Sequence, residues 1–213
     1  NEAGVGPKVI ASTATIRRAE RQVSGLFNRP VSQFPPPGLD ARDSWFAVER
    51  SRATNGSRRY VGLMAPGTSQ TTLMVRTYGS LLEGVYEQEV ADEHKDPYWT
   101  LLGYFNSLRL LGGARMQVSD DIPSYMQVIA SRSGREERRI DEPIELTSRE
   151  ESSNIPAHLK AMERTLQDGS PLDVVLATNM ISVGVDIDRL GLMAVMGQPQ
   201  SASEYIQATS RVG

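Results

Sequence analysis

One short stretch concentrates residues suited to holding a phosphate-bearing ligand: Thr178, Asn179, Ser182, Gly184 and Asp186. Hydroxyls and an amide donate hydrogen bonds, and a glycine lets a ligand approach the backbone. These residues follow Asp173–Ala177, an apolar run rich in β-branched side chains, the pattern of a strand buried on both faces. In an open parallel sheet, ligands sit beyond the carboxyl ends of the strands. A polar loop that only turns the chain would explain the same residues.

The elements that must position this stretch are read from periodicity. Lys8–Ala11 reads as a strand end. Ser12, Thr13 and Thr15 offer N-cap hydroxyls for a helix through Phe27, with Ile16, Ala19, Val23 and Leu26 on one face. Asn28–Asp43, with Pro35, Pro36, Pro37 and Gly38, reads as an extended connector. Short strands are expected at Ser44–Glu49 and Tyr60–Ala65, on either side of an Asn55-Gly56 turn. A helix from Ser69 toward Val90 follows, and the charged run Ala91–Pro97 reads as a solvated linker. Tyr98–Ser107 reads as a buried strand, continued by a helix that Gly112-Gly113 interrupts. Arg132, Arg135, Arg138 and Arg139 mix with Glu136 and Glu137 in a polar, mildly basic cluster. Ile144–Leu146 and Leu192–Met196 read as strands, Ile155–Leu166 as an amphipathic helix, and Ser201 as the cap of a last helix.

Strand and helix alternate from Tyr60 onward, which argues an α/β fold with a parallel sheet covered by helices on both faces. Right-handed crossovers bring the strand carboxyl ends to one edge. That edge collects Asn106, Thr147, Ser148, Thr178 and Gly197. Hydroxyls and backbone N–H groups gathered in this way grip a phosphate backbone without reading bases.

Composition bounds the function. The 213 residues, 39% of them hydrophobic, allow one large or two small domains with a real core. A net charge of −3 gives no global attraction to nucleic acid, which leaves only a local basic groove. The absence of cysteine excludes disulfides and cysteine-ligated zinc, and it suits a reducing cytoplasm. His94 and His158 have no partners at ligand spacing, so no metal is assigned to them. No apolar run approaches the ~20 residues that span a bilayer, so no membrane partner is expected. The phosphate-loop pattern GxxxxGK[ST] does not occur; GVGPK near the start is not one. The chain does not begin with methionine and reads as a piece of something larger.

ATNMISVGVDI, from Ala177 to Ile187, resembles motif V of superfamily two helicases, with Ala177, Thr178, Gly184 and Asp186 in the matching places. QATSRVG, from Gln207 to Gly213, resembles the start of motif VI. ASTATI, from Ala11 to Ile16, resembles motif III, with Thr13 in the serine position. FNSLR resembles motif IV, and TSRE resembles the phosphate-holding segment after it. The order is that of the family. The resemblance implies a RecA-like fold, with residues 1–58 the tail of a first lobe and a connector, and 59–213 the second lobe. The overall pattern resembles the large helicase-like proteins of bacterial phage-defence systems.

The resemblance also implies roles. Asp186 and Gly184 would hold the ribose of ATP, with Thr15 the motif III hydroxyl counted on the cofactor side. Gln207 and Arg211 would face the phosphates, completing an ATP site shared with the first RecA-like lobe. Mg2+ would be held outside this chain. Thr178, Thr147, Ser148 and Asn106 would touch a DNA or RNA backbone. The family places glycine where Ser210 stands, and a second arginine beyond Gly213. The chain alone is expected to be inactive. An adaptor that keeps the fold for protein contacts without ATP chemistry is the alternative.

Overall fold

The computed structural model describes residues 7–13, 15–16, 18–36, 38–40, 42–44, 47–51, 53–179 and 187–213. They fall into two compact units, Asn1–Ser57 and Arg58–Gly213.

In the first unit, α1 (Ala19–Phe27) starts later than the hydroxyls at Ser12, Thr13 and Thr15 suggested. Arg18 occupies its N-cap in a left-handed conformation, φ 56°, and supplies no side-chain cap. Thr13 instead donates to the carbonyl of Thr15 at 3.2 Å, so its hydroxyl is engaged by a local turn. The strand end expected at Lys8–Ala11 has no ladder partner and is not a strand. The strand expected at Ser44–Glu49 is a two-stranded antiparallel ribbon, β1 (Asp43–Ser44) and β2 (Ala47–Val48); Trp45 and Phe46 lie outside the described residues. No described residue of this unit is buried.

The second unit carries the core. Its first helix, α2 (Gln70–Tyr86), is capped by Ser69, whose hydroxyl accepts from Thr72 N at 3.1 Å. Met74, Tyr78 and Leu82 recur every fourth residue on its buried face. Next come α3 (Asp92–Trp99), β3 (Leu101–Phe105), α4 (Leu108–Ser119) and α5 (Asp121–Ser133). The rest is β4 (Ile144–Leu146), α6 (Ile155–Met162), β5 (Val174–Ala177), β6 (Leu192–Met196) and α7 (Ala202–Thr209). The sheet order is β4-β5-β3-β6 and every pair is parallel. Leu101 and Phe105 face Met74 and Tyr78 of α2, with Leu111 of α4 and Met126 of α5. Leu102 and Tyr104 point the other way, toward Met162 of α6 and Ala208 of α7. The α/β class and the parallel sheet with helices on both faces are as expected.

Three expectations fail for physical reasons. Tyr60–Ala65 forms no strand, because no neighbouring strand takes up its backbone groups; Val61 and Met64 are exposed. Ala91–Pro97 is not a linker but most of α3, with Asp92 and Glu93 in the first turn, where the helix dipole favours them. Gly112 and Gly113 do not interrupt α4, which runs through both on its open side. Within the mildly basic cluster, Arg138 is buried and paired with Asp173. The helix α5 was not anticipated at all.

Candidate nucleic-acid interface and nucleotide-facing helix

Each of the four parallel strands ends at one edge of the sheet, and its next residue opens that edge. β4 delivers Thr147 and Ser148, β5 Thr178, β3 Asn106 and β6 Gly197. The register fixes their order, since Leu146 lies across from Ala177, Ala177 from Tyr104 and Tyr104 from Val195. The convergence inferred from the crossover rule is therefore present in the fold.

The side chains on this edge differ in what they can reach. Thr147 is fully buried, and its hydroxyl accepts from Arg149 N at 3.2 Å. It shapes the turn that leaves Ser148 and Arg149 exposed. Thr178 is buried too, and its N–H donates to the Leu146 carbonyl at 3.2 Å, continuing the ladder one residue past β5. Asn106 is exposed, and its Nδ2 donates to the Gln198 carbonyl at 3.1 Å. Gly197 has φ 81°, and a Cβ there would stand 2.9 Å from Asn106 Nδ2. That turn needs a glycine on both counts. Gly184, Asp186 and Ser182 lie outside the described residues.

Beside the exit of β4 lies a cavity of about 310 Å³, lined by Arg115, Glu145, Thr147, Arg149, Glu150 and His158 among others. Arg115 is paired with Glu145 at 3.0 Å, so Arg149 and His158 are the lining groups left to meet an anion. His158 has no partner at ligand spacing in the sequence; its place in this wall depends on α6 lying beside β4, which no local pattern signals.

Gln207 and Arg211 belong to α7 and the turn after it. Ser201 caps the helix by accepting from Glu204 N at 3.2 Å. Tyr104 of β3 donates to Glu204 Oε1 at 2.6 Å. Burial, and next the Glu204 carboxylate, push the Tyr104 phenol well above its ordinary range. The Arg211 N–H donates to the Ala208 carbonyl at 3.3 Å, so Arg211 stands just beyond the helix rather than within it. Gln207 and Arg211 are both half-buried. An amide and a planar cation are a donor set that suits phosphate oxygens. Among the described residues no cluster of three His, Asp or Glu is arranged for a metal. Thr15, half-buried, belongs to the other unit.

Residues 145–213 match the model of the helicase conserved C-terminal domain. This part of the chain is similar to a helicase C-terminal domain. The match begins in β4 and runs through α6, β5, β6 and α7, so it takes in the strand ends at Thr147 and Thr178 together with Gln207 and Arg211. The chain is 49% identical over 212 residues to a DISARM protein DrmA of Bacillus paralicheniformis; the alignment covers 97% of this chain and 19% of that protein. The chain thus spans about a fifth of the length of that relative. Among solved structures, Saccharomyces cerevisiae Dbp5 bound to RNA and ADP BeF3 overlaps 67% of this chain and 28% of its own, with a TM-score of 0.40 and 11% identity. Mycobacterium smegmatis helicase Lhr bound to single-stranded DNA and AMP-PNP overlaps 66% and 15%, with a TM-score of 0.41 and 15% identity. No described helix is long and apolar enough to cross a membrane.

Proposed function

We propose that this chain is the C-terminal lobe of an ATP-dependent nucleic-acid helicase or translocase, in a large helicase-like protein of a bacterial phage-defence system. One observation carries the reading. The edge that gathers Asn106, Ser148 and Thr178 is continuous, through Gly197 and the Ser201 cap, with the helix bearing Gln207. The backbone of single-stranded DNA or RNA lies along that edge and takes hydrogen bonds at its phosphates. Gln207 and Arg211 face ATP, and Arg211 neutralises charge that builds on the γ-phosphate during transfer. Gly184 and Asp186 hold the ribose, and Thr15 carries the motif III hydroxyl. ATP, when bound with Mg2+, supplies the free energy for movement along the strand. The phosphate loop and the acidic magnesium ligand come from a first RecA-like lobe, of which residues 1–58 are the tail.

The test is steady-state phosphate release by the full-length protein and by this chain, each with and without single-stranded oligonucleotides. Turnover stimulated by nucleic acid in the full-length protein, and none in the chain alone, is the expected result. Turnover by the chain alone would reject the division of labour between lobes.

A further inference from the structure

Two contacts join β3 to the connection between β6 and α7. Tyr104, fully buried, donates to Glu204 Oε1 at 2.6 Å in the first turn of α7. Asn106, two residues further along the chain, donates to the Gln198 carbonyl at 3.1 Å just past Gly197. The missing side chain at Gly197 lets Asn106 come this close. The two contacts bracket the turn: one holds its start, the other the helix it leads into. From Glu204, the three- and four-residue steps of a helix stripe lead to Gln207 and Ala208, and Arg211 follows in the turn just past the helix. Ala208 is fully buried against the same sheet face as Tyr104, so a shift of the first turn of α7 is passed along the helix.

We infer that the Tyr104–Glu204 bond, with Asn106–Gln198, is a positioning clamp that sets where α7 holds Gln207 and Arg211 relative to the strand ends. Neither Tyr104 nor Glu204 touches the nucleotide; both act through α7. Asn106 shares its amide between the clamp and the proposed nucleic-acid edge, so strand binding is felt at the nucleotide-facing helix. The clamp rests on the function proposed above and adds how its two halves communicate.

The experiment is ATP turnover by the full-length protein with saturating single-stranded oligonucleotide, for Tyr104→Phe, Glu204→Ala, Glu204→Gln and Tyr104→Phe/Glu204→Ala. Displacing a reacting group by a fraction of an ångström to an ångström lowers rate by about tenfold or more. Tyr104→Phe and Glu204→Ala are therefore expected to lower kcat about tenfold, with the KM for ATP changed less than about twofold. Glu204→Gln, whose amide oxygen still accepts from the phenol, retains most of kcat. The double variant loses no more than either single one, because both remove the same bond. Wild-type kcat in folded Tyr104→Phe, or equal losses in Glu204→Gln and Glu204→Ala, overturns the clamp and leaves the functional reading standing. If Tyr104→Phe does not fold, the Gln and Ala variants at 204 decide alone. Wild-type protein with no oligonucleotide-stimulated turnover overturns both.

Discussion

Arg138 and Asp173 form a buried ion pair, Nη2 to Oδ1 at 2.7 Å, with side chains 1% and 9% exposed. The guanidinium lies 3.8 Å above the Trp99 ring and also donates to the Trp99 and Leu82 carbonyls. The other Asp173 oxygen accepts from Asp141 N at 2.9 Å, so one pair ties the segment after α5 to the start of β5. Burial holds the Arg138 guanidinium below its ordinary range, and Asp173 opposes that shift.

Arg138→Ala leaves the Asp173 charge buried without its partner. Breaking one side of a buried pair costs about 3–5 kcal/mol. Arg138→Met/Asp173→Asn, which removes both charges, is expected to cost less than Arg138→Ala. Urea unfolding of the three proteins checks the order; an equal or greater loss in the double variant would contradict it.

Glu83 accepts from Arg138 N at 2.9 Å through Oε1, while its buried Oε2 has no partner among the described residues. Burial pushes its carboxyl above the ordinary 4.5, against the pull of the Arg138 N–H. An acid whose folded value is raised contributes stability below its unfolded value and loses it as pH rises through the folded one. Glu83→Gln keeps the acceptor and removes the titration. Its Tm should exceed wild type near neutral pH, with the gain shrinking toward pH 4. A difference that is flat with pH, or that grows on acidification, would show the shift is not there.

Two glycines of α2 give opposite expectations. A Cβ at Gly79 would stand 2.7 Å from Tyr125 Cδ1, where α2 closes on α5. A Cβ at Gly84 would meet nothing within 4 Å. Gly84→Ala should stabilise by about 0.5–1 kcal/mol through helix propensity. Gly79→Ala should destabilise by about 1–3 kcal/mol through overpacking. Equal effects in thermal melts would mean that α2 and α5 are not this close.

For the proposed site, Arg211→Ala in the full-length protein should lower turnover by about 10²-fold with little change in ATP affinity, since phosphoryl-transfer arginines act mainly in the transition state. Arg211→Lys should rescue little, because an ammonium lacks the planar fork. Turnover and nucleotide titration on both variants check this; wild-type turnover in a folded Ala variant removes Arg211 from the site.

Thr178→Ala should instead weaken single-strand binding more than ATP binding, by about 1.5–3 kcal/mol if its hydroxyl meets a phosphate. Fluorescence anisotropy with a labelled oligonucleotide measures it, and unchanged affinity rejects the contact.

The parts of the fold visible in the sequence were those with local causes. Ser69 and Ser201 read as helix starts and are caps, and the apolar runs Asp173–Ala177 and Leu192–Met196 carry the strands β5 and β6. The strand ends at Asn106, Thr147 and Thr178 followed from one topological rule. What failed depended on distant partners. Asp96 looked like part of a solvated charge run because Arg189, which pairs with it at 2.9 Å, is far along the chain. Nothing near Arg138 in the chain singled it out from the mildly basic cluster, since Asp173, its partner, is also distant. Tyr60–Ala65 had strand composition, but composition supplies no neighbouring strand. The Tyr104–Glu204 bond left no local trace, since each residue alone is an ordinary strand tyrosine or helix glutamate.

The sheet order sets a schedule for how this molecule assembles. The inner strand β3 emerges first during synthesis, yet Leu101 must wait for Val174 on one side and Leu192 on the other. Until β5 has left the ribosome, the five wholly buried residues of β3 have no ladder to join. Helices α2, α4 and α5 can cover only one face in the meantime. Pairings this distant fold slowly and leave a sticky intermediate. The nascent chain therefore carries an unpaired apolar strand while the residues between β3 and β5 are made.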